Sequence, residues 1–373
     1  MTGRERIDLL FDARHIRQSG IGTYIATLLP HLEQTFAGRG MSLAVLVAEH
    51  ATPVLRDSTS VVVERGVAPM YSLAEQQVWN RALGDVGPRG FWVPHYPFPL
   101  AALRRANRST QLFVTVHDML HVTPRDVSGQ NAARRAYARA MLKLGVRRCR
   151  RIFTPSQATA SGLRRMAPKA PVMVTPIPVG DEWFSPVDPA LCPVAGRYVL
   201  YVGNAKWHKN LPSLLEAYSA VAPGIPHNLV IAGSGEALRG GDERVTELAA
   251  RQGDRVSVMG RLDFDVLRSL VASADLLVMP SLHEGAGLPP IEAMASHTAV
   301  LASDIPALRE TCGDGAEYFD PRSQRELADL LHRYCLDDSA RADLAARGWR
   351  HVIARQSGIS AGSAAEAVAV ELS

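Results

Sequence analysis

The chain has 373 residues, of which 47% are hydrophobic and 21% are charged, the composition of a globular protein long enough for two domains with separate cores. This composition excludes a disordered or fibrous protein. No apolar run reaches the roughly 18 residues of a membrane-spanning helix, and the N-terminus MTGRERIDLLFDAR becomes charged again too soon for a signal peptide. We therefore expect a cytoplasmic protein.

The cysteines give no sign of a metal or disulfide site. They are Cys149, Cys192, Cys312 and Cys335, widely separated and without a CxxC pair. Structural zinc sites and disulfide frameworks both use recognisable groups of cysteines. We expect reduced cysteines and no metal centre.

Charge is distributed unevenly along the chain. Residues 1–186 carry 24 Lys and Arg against 13 Asp and Glu, whereas residues 187–373 carry 17 against 24. Much of the excess lies in 132–152, where apolar residues recur at helical spacing. The basic residues between them are Arg134, Arg135, Arg139, Lys143, Arg147, Arg148, Arg150 and Arg151. This pattern predicts a basic amphipathic helix, either a solvated Arg-rich face or a surface that contacts anionic lipid or nucleic acid.

The first half of the chain alternates strands and helices. RIDLLFDAR predicts a strand, and RQSGIGTYIATLLPHL predicts a turn entering a helix, in which Gly20 and Gly22 either admit a ligand or only form the turn. Further strands are predicted at SLAVLVAE, SVVVERG, GFWVPHY, QLFVTVHDM and RRIFTPS. Helical segments separate several of these runs, which indicates a parallel sheet covered on both faces.

Polar residues follow two of these strands, at His95-Tyr96 and at His117-Asp118. Ligands of open parallel sheets bind at the carboxyl ends of the strands. An imidazole there can donate a hydrogen bond to a phosphate or a sugar hydroxyl, or exchange a proton near neutral pH. Each histidine alone is also compatible with a purely structural hydrogen bond.

A proline-rich segment, 175–189, predicts the linker to a second domain. Strands then recur at RYVLYVG, HNLVIAG, RVSVMG, ADLLVMP and twice within AVLASDIPALRETCGDGAEYFDP. The loop after the first of them carries Gly203, Lys206, His208 and Lys209. Lys209 is either a phosphate ligand at the sheet edge or a solvated surface lysine.

The segment 281–295, SLHEGAGLPPIEAMA, predicts a loop that leads directly into a helix. Prolines suit a first helical turn, so Glu284 lies on the loop and Glu292 in the helix. Gly285 and Gly287 let the backbone approach a ligand, and the unpaired N–H groups of the helix form an anion site suited to a sugar phosphate. The alternative is an ordinary glycine turn with Glu292 complementing the helix dipole.

With these motifs in view, the chain resembles the bacterial family 4 glycosyltransferases, which are retaining enzymes of the GT-B fold. The resemblance covers most of the sequence in seven ordered motifs. They are DARHIRQSGIGTY, VPHYPFPL, TVHDMLH, LYVGNAKWHKNLPSLLEAY, VSVMGRLDFDVL, MPSLHEGAGLPPIEAMA and ASDIPALRETCGDGAEYFDP. It implies two Rossmann-like domains, 1–178 and 179–350, whose parallel sheets face each other across a cleft. It also implies that the helical segment 351–373 returns to the first domain.

The resemblance implies roles for individual residues. Glu284 would contact hydroxyls of the donor sugar, Glu292 the ribose, and Lys209 the diphosphate, while His117 would lie by the reacting sugar. Further donor-binding positions are Gly20, Gly22, Gly203, Lys206, His208, Gly260, Arg261, Leu262, Ala286, Gly287 and Leu288, and acceptor-side positions are His95, Tyr96 and Asp118. The sequence departs from the family at Ala286, where an aromatic residue is usual, and at Asn204, where a basic residue is often found.

The implied reaction transfers a hexose from a nucleoside diphosphate sugar to an acceptor hydroxyl with retention of configuration, without a cofactor or metal. The variants PHYPFPL and GNAKWHKN are most similar to the mannosyltransferase branch, which favours GDP-mannose and a glycan or lipid-linked acceptor in surface polysaccharide assembly. The basic first domain fits peripheral contact with the inner membrane face. Alternatives are a UDP- or dTDP-sugar transferred to a small soluble acceptor such as a natural product, a nucleotide-sugar epimerase, and a nucleic-acid-binding protein on a GT-B scaffold.

Overall fold

The computed structural model describes residues 6–64, 66, 68–233 and 243–373. These residues group into two compact units. The first comprises the described residues up to Val122, together with Asn131–Pro178 and Ile359–Ser373. The second comprises Thr123–Gln130 and Val179–Gly358. The short segment Thr123–Gln130, which the sequence places within the first domain, therefore packs with the second unit.

The first unit contains a seven-stranded parallel sheet in the order β3-β2-β1-β4-β5-β6-β7. Its strands are β1 (Leu9–Asp12), β2 (Leu43–Ala48), β3 (Ser60–Glu64), β4 (Gly90–Val93), β5 (Gln111–Thr115), β6 (Arg151–Thr154) and β7 (Val172–Val174). The helices are α1 (Ser19–Gly38), α2 (Leu73–Val86), α4 (Ala132–Arg148), α5 (Gln157–Met166) and α13 (Ser363–Leu372). The central strands are buried along their whole length, as expected for apolar strands covered on both faces.

The second unit contains a six-stranded parallel sheet in the order β10-β9-β8-β11-β12-β13. Its strands are β8 (Tyr198–Val202), β9 (Asn228–Ala232), β10 (Val256–Met259), β11 (Leu276–Met279), β12 (Ala299–Ser303) and β13 (Glu317–Phe319). The helices are α3 (Arg125–Ser128), α6 (Leu211–Val221), α7 (Glu243–Ala250), α8 (Phe264–Ala272), α9 (Leu288–Ala295), α10 (Pro306–Cys312), α11 (Gln324–Leu336) and α12 (Asp338–Ser357).

The predicted α/β fold with two parallel sheets is confirmed, and every predicted strand is present. Three local predictions were wrong. Strand β7 was not predicted, the basic helix α4 ends at Arg148 rather than at residue 152, and Gly20 and Gly22 lie in the first turn of α1 rather than in a loop before it. The predicted glycine-rich exit of β9 beyond Gly233 lies outside the described residues.

Both sheets have the same topological switch point. Strand order reverses between β1 and β4 in the first sheet and between β8 and β11 in the second. Chains leaving neighbouring strands in opposite directions open a crevice at their carboxyl ends, which is where open α/β sheets bind ligands. The loops after β1, β4, β8 and β11 are therefore the places to look for a site. No helix within the described ranges is long and apolar enough to cross a membrane.

Candidate active site

At the switch point of the second sheet, an ion pair joins the loops that leave β8 and β11. Nζ of Lys209 lies 2.7 Å from Oε1 of Glu284, and the two side chains are only 16% and 9% exposed. The hydroxyl of Ser281 donates a second hydrogen bond to the same carboxylate oxygen, at 2.6 Å. The two residues that the sequence singled out on separate loops are thus in direct contact.

Backbone and amide hydrogen bonds hold these two loops together. The N–H of Leu282 donates to the carbonyl of His208 at 2.7 Å. The amide of Asn210 donates to the carbonyls of Pro280 and Pro321, at 3.0 and 2.8 Å, while its backbone is in the left-handed region with φ 56°. The ion pair therefore rests on a braced frame rather than on two independent loops.

Helix α9 begins directly after the Glu284 loop. Its N-terminal flanking residue, Gly287, has φ 67°, and a Cβ there would meet Cδ2 of Leu308 at 2.4 Å, so only glycine fits this position. Pro289 occupies the first turn, as predicted. Pro289 and Pro290 carry no backbone N–H, so the donors that this helix start can offer to an anion, together with the helix dipole, are the N–H groups of Gly287 and Leu288.

The carboxyl group of Glu292 lies on the first turns of α9. Burial, followed by repulsion from Glu182, raises its pKa to about 7. A carboxyl group with this pKa changes charge within the physiological range, and perturbed groups of this kind cluster at functional sites. Glu292 follows Glu284 on the same loop and helix, and both residues are half-buried.

The other predicted donor-binding residues lie on loops of the same unit. Gly203 and His208 are half-buried after β8, and Lys206 is exposed. Gly260 and Arg261 are exposed and Leu262 is half-buried after β10, while Ala286 and Leu288 flank Gly287 in a half-buried state. All of them follow carboxyl ends of strands of this sheet, or begin α9.

Gly20 and Gly22 occupy the start of α1 in the first unit. A Cβ at Gly22 would meet the carbonyl oxygen of Ile16 at 2.5 Å, so the turn of the chain before α1 accounts for this glycine by itself. Gly20 is exposed and a Cβ there would meet nothing within 4 Å. The structure therefore gives a packing reason for Gly22 and none for Gly20.

His117 follows β5 and is half-buried. Its Nε2–H donates to the carbonyl of Pro94 at 2.8 Å, and its ring packs edge-on against Tyr24. Burial lowers the pKa of His117, so the neutral ring is favoured. Because Nε2 carries the proton in this arrangement, Nδ1 is the hydrogen-bond acceptor of the ring.

His95 does not face solvent at the sheet edge. It is 1% exposed, and its Nε2 lies 2.8 Å from Oε1 of Glu75, which is fully buried. Nε2 of His15 lies 3.3 Å from the same oxygen, and Nη2 of Arg14 lies 3.5 Å from it. Hydrogen bonds from the two histidines outweigh burial and lower the pKa of Glu75. His95 is thus part of a buried cluster around Glu75.

Arg14 extends this buried cluster to Asp12 at the end of β1. The guanidinium donates two hydrogen bonds to the Asp12 carboxylate, at 2.9 and 2.7 Å, and the indole N–H of Trp79 donates a third at 2.7 Å. Burial opposes ionisation of Asp12, but the Arg14 charge outweighs burial and lowers its pKa. The two carboxylates of the cluster are hydrogen-bonded internally, whereas Nη1 of Arg14 and Nδ1 of His15 and His95 are buried without a hydrogen-bond partner among the described residues.

His15, Glu75 and His95 are also the kinds of side chain that bind metals, and their ligand atoms lie within 4.8 Å of one another. The Arg14 guanidinium already supplies positive charge to the shared Glu75 oxygen. A divalent cation at this place would be repelled by Arg14 and would displace two hydrogen bonds. The geometry fits a hydrogen-bonded ion cluster better than a metal centre.

Tyr96 and Asp118 remain at the accessible edge of the first sheet, both half-buried. Three residues without a predicted role, Tyr71, Glu75 and His121, lie close by: the Tyr71 ring contacts Tyr96 and His121, and the Tyr71 N–H donates to Glu75. For Glu75 a signal existed, because Ser72 and Glu75 have the spacing of a helix capping box, and Oγ of Ser72 accepts the N–H of Glu75 at 3.1 Å. That signal predicts a cap and gives no indication of the histidines.

Two family models match consecutive parts of the chain. The model described as "Glycosyltransferase Family 4" matches residues 18–182, and the model described as "Glycosyl transferases group 1" matches residues 192–351, so together they account for most of the sequence. The chain belongs to glycosyltransferase family 4. The resemblance inferred from seven motifs is thereby confirmed.

Relatives of this family 4 glycosyltransferase include two bacterial O-antigen enzymes. It is 29% identical over 217 residues to the O-antigen chain mannosyltransferase RfbU of Salmonella typhimurium, a match that covers 57% of each chain. It is 27% identical over 288 residues to O-antigen chain mannosyltransferase B of Escherichia coli, which covers 73% of this chain and 71% of the relative. The chain thus matches little more than half the length of RfbU.

Solved structures share the fold at low sequence identity. Sucrose-phosphate synthase from Thermosynechococcus elongatus superposes with a TM-score of 0.75 at 22% identity over 94% of both chains. Anabaena HepE in complex with UDP and glucose superposes with a TM-score of 0.71 at 16% identity, over 98% of this chain and 99% of HepE. These likenesses establish the two-domain GT-B fold for this glycosyltransferase.

Proposed function

We propose that this protein transfers mannose from GDP-mannose to a hydroxyl of a growing glycan, with retention of configuration. The observation that carries the proposal is the Lys209–Glu284 pair, braced at a switch point beside the uncapped N-terminus of α9. A diphosphate needs a cation and N–H donors, and a sugar needs a hydrogen-bond acceptor for its hydroxyls. The cation would be Lys209, the N–H donors those of Gly287 and Leu288, and the acceptor Glu284, all on the segments that follow β8 and β11.

On the donor side, the diphosphate competes for the Lys209 ammonium that now pairs with Glu284. As Lys209 turns to the phosphate, the Glu284 carboxylate is released to accept hydrogen bonds from the sugar. Ser281 keeps that carboxylate in place during the exchange. Glu292, deeper on α9, accepts the ribose hydroxyls in its ionised form.

For the transfer itself we propose a front-face substitution. The bond between the anomeric carbon and the phosphate oxygen breaks, the bond from that carbon to the acceptor oxygen forms on the same face, and the acceptor proton passes to the departing phosphate. Lys209 and the α9 N–H groups stabilise the negative charge that develops on the diphosphate. His117 accepts a hydrogen bond from a substrate hydroxyl at Nδ1, since its Nε2–H is already bound to Pro94.

The identities of sugar and acceptor rest on the relatives, two of which are named as O-antigen chain mannosyltransferases. An O-antigen chain is a polysaccharide, so the corresponding acceptor here is a glycan or a lipid-linked glycan. The sequence variants PHYPFPL and GNAKWHKN favour the same branch. No metal or cofactor takes part in the proposed reaction.

Helix α4 supplies a basic surface for contact with an anionic membrane at its cytoplasmic face. Its exposed basic residues are Arg134, Arg139, Lys143 and Arg147. Arg148 is used inside the unit, where it donates to backbone carbonyls, and Arg150 and Arg151 pair with Glu371. The proposed surface is therefore smaller than the eight residues suggested by the sequence.

Flotation with vesicles containing phosphatidylglycerol tests this surface. The wild-type protein should be recovered with the vesicles, and the double variant Arg134→Glu with Arg139→Glu should not be recovered.

The decisive experiment is a thermal-shift panel of GDP, UDP, dTDP and ADP with their sugars, followed by NMR of the transferred linkage. We expect stabilisation by GDP and GDP-mannose alone, and an α-configured product from the α-configured donor. Stabilisation by another nucleotide series would show that the donor is a sugar of that nucleotide and would leave the assignment as a transferase unchanged. Stabilisation by none would refute the proposed site, and a trapped glycosyl adduct on a carboxylate would refute the front-face step.

A further inference from the structure

Three aromatic rings lie together near the switch point of the first sheet, and we call them the aromatic platform. The ring centroids of Tyr71 and Tyr96 are 5.2 Å apart, those of Tyr71 and His121 are 5.3 Å apart, and those of Tyr96 and His121 are 4.8 Å apart. Tyr71 is 41% exposed, and the other two residues are half-buried. The platform therefore presents ring surface to solvent at the edge of the sheet where ligands of such folds bind.

Tyr71 is held in an unfavourable backbone conformation. Its φ is 67°, which lies in the left-handed region. Bulky residues rarely adopt this region, and doing so costs about 1–3 kcal/mol. The backbone N–H of Tyr71 donates to Oε2 of Glu75 at 2.8 Å, while Oε1 of the same carboxylate faces His15 and His95. Glu75 of the buried cluster thus holds the backbone of Tyr71, the exposed member of the platform. A strained backbone conformation persists only where surrounding contacts hold it. Here these contacts hold Tyr71 in a conformation that leaves its ring exposed.

A carboxylate, Asp118, lies in the segment after β5 that also carries His121 of the platform. Partial burial and then the neighbouring charge of Asp118 raise the pKa of Tyr71, and Asp118 also contributes to the raised pKa of Tyr96. The N–H of Leu120 donates to Oδ1 of Asp118 at 2.8 Å and orients the group. A carboxylate next to a cluster of tilted rings suits a ligand with an apolar face and hydroxyl edges. An alkyl chain would use only the rings and would desolvate the charge without compensation.

We propose that the aromatic platform binds a pyranose ring of the acceptor saccharide. The C–H face of the sugar packs on Tyr71 and Tyr96, and a sugar hydroxyl donates to Asp118. Glu75 acts as a positioning residue, because it holds the backbone of Tyr71 without contacting the sugar. This inference rests on the proposed transferase only in naming the bound saccharide as the acceptor.

Saturation-transfer difference NMR tests the platform directly, without any transfer reaction. The ligands are methyl glycosides of mannose, glucose, galactose and N-acetylglucosamine. We expect at least one to receive saturation at its ring C–H protons, and Tyr71→Ala to weaken its binding about tenfold, the loss expected for one stacked aromatic group. Tyr71→Phe keeps the ring and should bind within about threefold of the wild type. Absence of binding by all four glycosides, or equal binding by the alanine variant, overturns the proposal.

Two controls separate this inference from the proposed function. Leu336→Ala removes a side chain that is 51% exposed on the second unit and should leave glycoside binding unchanged. GDP-mannose should stabilise Tyr71→Ala as much as it stabilises the wild type. Glycoside binding without stabilisation by any nucleotide would support the platform and refute the proposed donor site. Stabilisation by GDP-mannose without glycoside binding would support the donor site and refute the platform.

Asp118→Asn and Glu75→Gln distinguish a residue that contacts the sugar directly from one that acts through Tyr71. Asp118→Asn should weaken binding of the glycoside and leave the NMR signals of the Tyr71 ring in place. Glu75→Gln should weaken binding together with a shift of those ring signals, since it disturbs the contact that holds the Tyr71 backbone. Weakened binding in Glu75→Gln with unchanged Tyr71 signals would contradict its positioning role.

Discussion

The Glu75 carboxylate at the switch point of the first sheet is fully buried and contacts Arg14, His15 and His95. The Glu284 carboxylate at the equivalent point of the second sheet pairs with Lys209 and accepts one hydroxyl, and it is partly accessible. Strand order is the same in both sheets, so topology alone does not decide what an acidic side chain does at this place. The number of internal partners decides it.

A carboxylate whose partners are all internal is committed to the scaffold. Removing one partner of a buried ion cluster leaves an uncompensated charge, so such a group cannot exchange its contacts for those of a ligand. Glu284 has two partners, Lys209 and Ser281, and we propose that a diphosphate can draw the Lys209 ammonium away from Glu284. The difference separates a group that shapes the first unit from a group that is available to substrate.

The largest effect on stability is expected from breaking the buried cluster. Glu75→Ala leaves Arg14 and two histidines without their shared acceptor and should lower the free energy of unfolding by about 3–5 kcal/mol. Urea unfolding measures this. Glu366→Ala is the control, because it removes an exposed pair with Arg39 and should cost under about 1 kcal/mol. Equal costs in both variants would show that the cluster is not the scaffold we describe.

Lys209→Ala should act on turnover rather than on folding. Because we propose that Lys209 stabilises the departing diphosphate, its loss should lower kcat by about 10²–10³-fold. Loss of its largely buried ion pair should cost about 1–3 kcal/mol of unfolding free energy. Steady-state kinetics and thermal unfolding on the same sample separate the two. Lys169→Ala, an exposed lysine of the first unit, is the matched control. A large loss of stability with normal kcat would make Lys209 a structural residue like Arg14.

Glu292 should make stability depend on pH. Its folded pKa of about 7 lies above the ordinary 4.5, so the folded protein binds this proton more tightly, and stability falls as pH rises from about 4.5 to about 7. Glu292→Gln removes this penalty and should raise the free energy of unfolding above pH 7 by about 1–3 kcal/mol. The difference between the two proteins should shrink as the pH falls towards about 4.5.

Thermal unfolding at pH 5 and pH 8 tests that prediction, with Glu247→Gln on the exposed face of α7 as control. The same Glu292 variant should bind GDP more weakly, because it lacks the carboxylate that we propose as the acceptor of the ribose hydroxyls. A variant that is more stable yet binds GDP as well as the wild type would remove Glu292 from the donor site.

The smallest effect is expected from Ser281→Ala. It removes one hydrogen bond to Glu284 and should cost about 0.5–1.5 kcal/mol, expressed as weaker donor binding rather than as unfolding. Calorimetric titration with GDP-mannose measures it. Ser213→Ala, which removes a hydroxyl bound to Asn210 instead, should leave donor affinity close to that of the wild type.

The Lys209–Glu284 site of the second unit was more predictable from sequence than the Glu75 cluster of the first unit. Gly287, Pro289 and the spacing of Glu284 from Glu292 encode local backbone geometry, which a sequence shows directly. The contact of Lys209 with Glu284 spans 75 positions, yet both loops leave adjacent strands, so strand order predicts it. Nothing in the sequence indicated the hydrogen bonds by which Asn210 joins Pro280 and Pro321.

In the first unit, the sequence located the sheet edge but not the state of its residues. His95 follows a strand, as an exposed ligand residue would, and only the position of Glu75 on another element buries it. Tyr71 lies outside every strand and helix, and its positive φ follows from the same carboxylate. Burial is decided by partners distant along the chain, and periodicity carries no information about them.

The final helix, α13, has a consequence for the order in which the protein folds. It belongs to the first unit, where Arg89 donates to the carbonyl of Leu372 and Arg150 pairs with Glu371. All 180 residues of the segment Val179–Gly358 precede it in the sequence. A ribosome therefore releases the residues that complete the first unit only after those of the second. Native pairing within the first sheet can begin early, but its packing surface for α13 stays uncovered until synthesis has passed the second unit.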